Sequence, residues 1–420
     1  MTADFRHLLR NSSFKYLWIS QITSQLTIQI INFILLVYLY SITGSSLATS
    51  FLWVVYALPA LMIGPIAAAM ADMISRRKIL MITNLAQAIT VLLFSLIKEP
   101  FILVVYIAVF VYSFFNQFYI PAELSSLPAL VEKKYFASAN SMFFLTQQAA
   151  IVVGFGIAGY VSYLFGYNKT LLMASGLLFV ACASASRLPK KIIDESLPVK
   201  MEKTVIRFFK NIYEGYIFIK NRKDVYFPFF LLIVMQMGLI VMMVNLPIIS
   251  EQIFLIQAEK AGIKVVAPAG IGAAFAALTI PRLIKHHIRK KHAIEYSLAL
   301  LSIFLLFLIF VLPSFDNSLK NIFYLATMFI LGYGFLGVVI PSQTYLQEVT
   351  PGGLRGRVFG NFWFVLTVAT IMPVIFSGTI TEIFGIKILI FLMTTLILLI
   401  LVASKKHTRK MIYSLHNIKP

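Results

Sequence analysis

Acidic residues are scarce in this chain: 16 Asp and Glu stand against 36 Lys and Arg, and charged residues make up only 12% of its 420 positions. Hydrophobic residues reach 60%. That poverty of charge excludes an ordinary soluble domain, in which about a quarter of residues are charged. Cysteine is nearly absent, and the lone Cys182 rules out a disulfide within the chain. There is no nucleophile–base pair, no cluster with metal-ligand spacing and no glycine loop of the kind that holds phosphates. An enzyme, a cofactor and a metal centre are therefore not expected. Met1 to Lys15 is polar and basic, so no cleavable signal peptide is expected ahead of the first apolar run.

What the chain has instead is long hydrophobic runs. Twelve can be cut from it, at 16–41, 46–70, 79–97, 101–120, 141–165, 168–186, 225–250, 263–284, 293–313, 321–342, 358–384 and 386–403. A spanning helix needs about 20 mostly apolar residues, and backbone groups in lipid must be satisfied within their own segment, so each run is expected to be a transmembrane helix. The basic residues alternate with them. Thirty of the 36 fall at the N-terminus, in or at the edges of the even-numbered gaps and at the C-terminus, and six fall in or at the edges of the odd-numbered gaps. The positive-inside rule produces this pattern when both termini lie in the cytoplasm. The net charge of +20 thus reads as topology, and a nucleic-acid binder is excluded by where the charge lies.

The longest polar stretch, 187–223, divides the runs into two sets of six. Within it Val205, Phe208, Phe209, Ile212, Tyr216 and Ile219 recur at helical spacing between Lys and Arg, the pattern of an amphipathic helix on an anionic membrane face or of a solvated linker helix. The expected organisation is a six-helix bundle over 1–187, a cytoplasmic linker over 188–223 and a second bundle over 224–420. The two halves look alike. Pro121-Ala122 closes the fourth run and Pro341-Ser342 closes the tenth, 220 residues on; Arg76-Arg77-Lys78 recurs as Arg289-Lys290-Lys291. A parallel repeat of six helices follows.

The loop after the second run reads Ala68-Ala69-Met70-Ala71-Asp72-Met73-Ile74-Ser75-Arg76-Arg77-Lys78. It resembles the corresponding loop of the major facilitator superfamily, in which a glycine is followed four residues later by an aspartate and then by a basic pair. Asp72, Arg76 and Arg77 match, whereas Ala68, Met73 and Ser75 replace family residues. The resemblance implies an all-α membrane protein of twelve transmembrane helices in two six-helix pseudo-repeats. It also implies a transport cycle in which Asp72, Arg76 and Arg77 form a gating latch, a carboxylate at a helix end being able to hold a basic side chain or a helix N-terminus.

Three further stretches are similar to the branch that holds macrolide-efflux proteins and the enterobactin exporter: Pro121-Ala122 with Leu127 to Val131 and Ala139-Asn140-Ser141; Gln347-Glu348 with Pro351 and Leu354 to Phe359; and Glu214 to Ile219. They imply a secondary transporter in a bacterial cytoplasmic membrane, exporting hydrophobic or amphipathic small molecules by alternating access. A lysophospholipid or lipid transporter shares a related Pro-Ala…Ala-Asn loop and stands as the alternative, and a non-transporting receptor or scaffold on the same fold as a second. Tyr112 occupies the place of an arginine that drug antiporters of the superfamily use in proton exchange, and Gly154 to Gly159 keeps small residues without the usual proline.

No acid, base or histidine lies centrally in any run. Neutral polar residues do. Gln21, Gln25, Gln29 and Asn32 fall within a sector of roughly 80° on one helix face, and amides facing lipid would be costly, so the stripe should face a cavity or another helix. Tyr112, Asn116, Gln147, Gln236 and Asn361 are the other candidates for a substrate cavity. Glu123 and Glu348 follow the paired prolines and stand as coupling carboxylates for protons or Na⁺, or as loop hydrogen-bond partners. The expected partners are a small-molecule or lipid substrate and the bilayer, and the chain is expected to be a monomer.

Overall fold

In the computed structural model the described residues are 2–189, 201–286, 288–315 and 317–416, and helix dominates them. The first helices are α1 (Thr2–Arg10), α2 (Ser12–Thr43), α3 (Ser46–Met73), α4 (Arg76–Ser95), α5 (Ile102–Leu130), α6 (Phe136–Phe165) and α7 (Tyr167–Ser186). They are followed by α8 (Met201–Asn221), α9 (Lys223–Val244), α10 (Leu246–Gln252), α11 (Ala267–His286), α12 (Lys290–Leu306), α13 (Asn317–Val349), α14 (Gly352–Phe384) and α15 (Ile386–His416). Among the described residues twelve segments are long and apolar enough to cross a membrane, and each overlaps one of the twelve runs read from the sequence.

Two boundaries differ from expectation. Both α5 and α13 continue past Pro121 and Pro341, the residues expected to close their runs, and end only at Leu130 and Val349. A proline inside a helix removes one backbone hydrogen bond, but in a bundle of spanning helices neighbouring groups can satisfy the freed carbonyl. Glu123 and Glu348 are consequently helical residues and not loop residues.

The chain folds into two compact units, Met1–Tyr213 and Glu214–Pro420, and the division falls inside α8. Residues 190–200 of the expected linker lie outside the described residues. Because lipid is as apolar as leucine, such helices are held together by close packing and by hydrogen bonds between them. In the first unit α2 packs on α6 and α7, α3 on α5, and α4 on α5 and α7. A buried cluster at one end, including Phe14, Leu17, Leu80, Tyr119, Leu127 and Phe143, joins α2, α4, α5 and α6. Asn11 completes that end. Its side chain caps α2 by accepting from Ser13 N at 3.0 Å and Phe14 N at 3.2 Å, and donates to the Leu130 carbonyl of α5 at 2.9 Å.

In the second unit α13 packs on α9, α11 and α12. The crossing of α11 and α13 is reciprocal. A Cβ on Gly272 would come within 1.9 Å of the Phe329 carbonyl oxygen, and one on Gly332 within 1.8 Å of the Ala269 carbonyl oxygen. The two backbones touch because neither glycine has a side chain. Both units contain the same turn between their fifth and sixth spanning helices: α6 meets α7 at Gly166 (φ 82°, ψ 164°), and α14 meets α15 at Gly385 (φ 83°, ψ 160°). This internal likeness of backbone matches the repeat read from the sequence.

Candidate functional site

The basic pair at the start of α4 ties that helix to its neighbours. Arg76 Nη1 donates to the Ser125 carbonyl of α5 at 2.6 Å, and Arg77 Nη2 donates to the Ser186 carbonyl at the C-terminal end of α7. Carbonyls at a helix C-terminus carry partial negative charge and favour a cation, so the guanidinium of Arg77 is well placed. The Nε atoms of both arginines are buried without a hydrogen-bond partner. Asp72 lies one turn earlier, in the last turn of α3, but its side chain is outside the described residues. Arg76 and Arg77, two of the three residues expected to form the latch, thus staple three helices of one unit.

Two of the four amides in the α2 stripe meet α6. Gln21 is 2% exposed and donates to the Phe143 carbonyl of α6 at 3.0 Å, while its Oε1 is left without a partner. Gln29 lies against Gly154 of α6, where a Cβ would fall 2.5 Å from the Gln29 Cβ. Gln25 and Asn32 are half-buried. On α5, Asn116 donates to the Tyr56 hydroxyl at 3.3 Å, and Tyr112 is buried with its hydroxyl unpartnered. The carbonyl of Tyr112 accepts from Gln87 of α4 at 3.3 Å. Gln147 is exposed and Gln236 half-buried. Asn361 is buried against Gly215 of α8 and donates to the Arg357 carbonyl at 2.9 Å.

The two carboxylates paired by sequence have unlike surroundings. Glu348 is exposed at the end of α13 and forms an ion pair with Lys290 at the start of α12. Glu123 is 4% exposed, and among the described residues it is the one charged side chain that is buried. The Tyr119 hydroxyl, one turn earlier on α5, donates to its Oε1 at 2.9 Å. Ser20 and Ser24 of α2 are buried near the same tyrosine, and Asn84 of α4 donates to Ser20 Oγ at 3.3 Å. The sequence reading passed over Ser20, Ser24, Asn84 and Gln87. Their signal was the recurrence of polar residues at i, i+3 and i+4 inside apolar runs, a weaker mark than the four-residue stripe beside them.

A twelve-helix membrane bundle in two repeated units, with a basic staple at the start of its third spanning helix, defines a class of polytopic transporter. The sequence model of the Major Facilitator Superfamily matches residues 17–374, and the chain belongs to that family. It is similar to the uncharacterized MFS-type transporter YfiS of Bacillus subtilis (strain 168), with 25% identity over 360 residues covering 83% of this chain and 82% of the relative. Among solved structures, the nucleoside transporter NupG superposes with a TM-score of 0.69 at 12% identity, covering 93% of this chain and 98% of that one. A bacterial homologue of the iron transporter ferroportin in its inward-facing state superposes with a TM-score of 0.72 at 14% identity, covering 95% and 98%. At such identities the structural likeness establishes the fold alone.

Proposed function

We propose that this major facilitator is a secondary active exporter of hydrophobic or amphipathic small molecules, working by alternating access in a bacterial cytoplasmic membrane with its basic-rich helix ends inside. The supporting observation is the neutrality of the buried polar groups. Gln21, Asn84, Gln87, Asn116, Asn245 and Asn361 are all amides, and Glu123 is the one buried charge among the described residues. A pathway lined by amides and aromatic rings offers hydrogen bonds and apolar area without a counter-charge, which suits a neutral or amphipathic cargo. A strongly charged cargo would call for an opposite charge in the same place. The sequences around Pro121 and Arg355 favour the macrolide-efflux and enterobactin-exporter branch within the family. Of the two coupling candidates, Glu123 is favoured, because Lys290 already neutralises Glu348.

The test is transport into proteoliposomes under imposed pH and Na⁺ gradients, with a panel of lipophilic drugs and lysolipids. Gradient-driven movement of the drugs is the expected result. Movement of lysolipids alone would replace the exporter reading with a lipid-handling one. Glu123→Gln is expected to abolish the gradient dependence, whereas Glu348→Gln is expected to keep it.

A further inference from the structure

Helix α8 has two faces, and one of them is packed inside the protein. Gly215 lies against Asn361 and the Arg357 carbonyl of α14, and Ile219 belongs to a buried cluster with Val225, Phe229 and Phe362. The opposite face is open. Ile206, Phe209, Tyr213, Tyr216 and Ile217 are between 38% and 63% exposed, and Lys210 and Lys220 are exposed beside them. At about 100° per residue these seven positions fall within a sector of roughly 120°, on the side away from Gly215. Lys220 Nζ stands 5.9 Å from the centroid of the Tyr216 ring. Over residues 201–223, six Lys and Arg stand against two Glu, and Glu214 is paired with Arg357.

Two points fix the level of this face relative to a bilayer. Gly215 touches Arg357 and Asn361, which open the spanning segment Arg357–Phe384. Asn221, the last residue of α8, comes shortly before Val225, which opens the spanning segment Val225–Val244. The stretch from 215 to 221, about 9 Å of helix, therefore begins and ends where spanning helices leave the hydrocarbon, and α8 runs along the interface there. Aromatic rings anchor at that depth, and a basic amphipathic helix lies in the interface plane with its apolar side chains at the headgroup–acyl boundary. Charge chooses the occupant. A second copy of the chain would set one basic face against another, whereas anionic lipid phosphates complement it. We propose that the open face of α8 is a docking surface for anionic phospholipid, with Phe209, Tyr213 and Tyr216 seated among the headgroups and Lys210 and Lys220 on lipid phosphates.

The test uses the full chain in vesicles of phosphatidylcholine alone and of phosphatidylcholine mixed with phosphatidylglycerol. A spin label is attached through Ile217→Cys in a Cys182→Ser background, and its collisions with oxygen, which concentrates in lipid, are compared with those of a water-soluble nickel chelate. In the mixed vesicles the label is expected to be open to oxygen and shielded from the chelate, and in phosphatidylcholine alone less so. Lys210→Gln together with Lys220→Gln should lower the ratio of lipid-seated to water-exposed label in the mixed vesicles by about fivefold per lysine. The same pair should leave the ratio in phosphatidylcholine unchanged. A label open to the chelate in both vesicles would overturn the proposal, as would shielding indifferent to phosphatidylglycerol or to the two lysines. Dipolar broadening between labels on two chains would instead give the face to a second copy. Should the labelled chain fail to fold, trypsin cleavage after Lys210 and Lys220 of the unmodified chain gives the same reading, slower in the mixed vesicles if lipid docks and equal in both if it does not. Neither readout involves a transported molecule, so a failure here leaves the exporter reading standing, and a failed transport assay leaves the docking surface standing.

Discussion

Gly166 and Gly385 hold the backbone at φ 82° and φ 83° with ψ near 160°, a region essentially closed to residues with a side chain. Nothing lies within 4 Å of where a Cβ would stand at either position, so the cost of substitution is purely that of backbone strain. Gly166→Ala and Gly385→Ala should each destabilise the folded protein by about 1–3 kcal/mol, seen as a lower melting temperature in detergent. A change at one site and not the other would show that the two turns are not equivalent. A different residue-scale outcome is expected at the exposed pair Glu132–Lys134, whose charged groups are 2.9 Å apart. The hydrogen bond and charge of Lys134 hold the Glu132 carboxyl below its usual range, so its contribution is present above the ordinary carboxylate value and lost as the pH falls through the lowered one. Exposure to water makes that contribution slight. Glu132→Gln should leave both the melting temperature and its pH dependence unchanged.

Between elements, the seating of α8 on α14 sets packing against charge. Glu214 of α8 and Arg357 of α14 form an ion pair, but their side chains are 34% and 40% exposed, and such pairs contribute about 0–1 kcal/mol. One residue on, a Cβ at Gly215 would meet Asn361 Nδ2 at 2.1 Å and the Arg357 carbonyl oxygen at 3.0 Å. To make room Asn361 would have to give up its bond to that carbonyl, and overpacking of this kind costs about 1–3 kcal/mol. Gly215→Ala should therefore lower the melting temperature clearly more than Glu214→Gln does. The same logic applies with more force to Gly272→Ala, whose Cβ would meet backbone that cannot rotate away. This is also the scale at which the sequence was least legible. Length and hydropathy located all twelve spanning helices, since each signal is contained in its own segment. Pro121 and Pro341 misled about where two of them end, because the tolerance of a bundle for proline is not written locally. The cluster around Glu123 was out of reach for a related reason. Its members Ser20, Asn84 and Tyr119 come from three helices, and only their packing shows that the carboxylate is buried with them.

At the scale of the whole molecule the two units share a chain path yet differ in what they bury. Position 123 of the first carries a carboxylate, while Gln343, the matching position 220 residues later, is a half-buried amide. The repeat thus conveys architecture, and among the described residues the buried carboxylate is found in one copy. The orientation proposed above rests on a property of the entire chain, the uneven distribution of its basic residues, 30 of 36 falling in one alternate set of segments between the apolar runs. Each such residue near the cytoplasmic surface adds about 1 kcal/mol of attraction to anionic lipid, so the sum over seven clusters outweighs any single loop. Alkaline phosphatase, which is active only outside the cytoplasm, reports this directly. Fusions after Gly44, Pro100, Gly166 and Gly385 should be active, and fusions after Ser75, Lys134 and Lys290 inactive. Because no one cluster dominates, replacing Arg76, Arg77 and Lys78 together by Gln should leave that pattern intact while loosening α4 from α5 and α7 through loss of the Arg76 and Arg77 hydrogen bonds. A reversal of the fusion pattern in that variant would mean that a single loop sets the topology, and the distributed charge would then need another explanation.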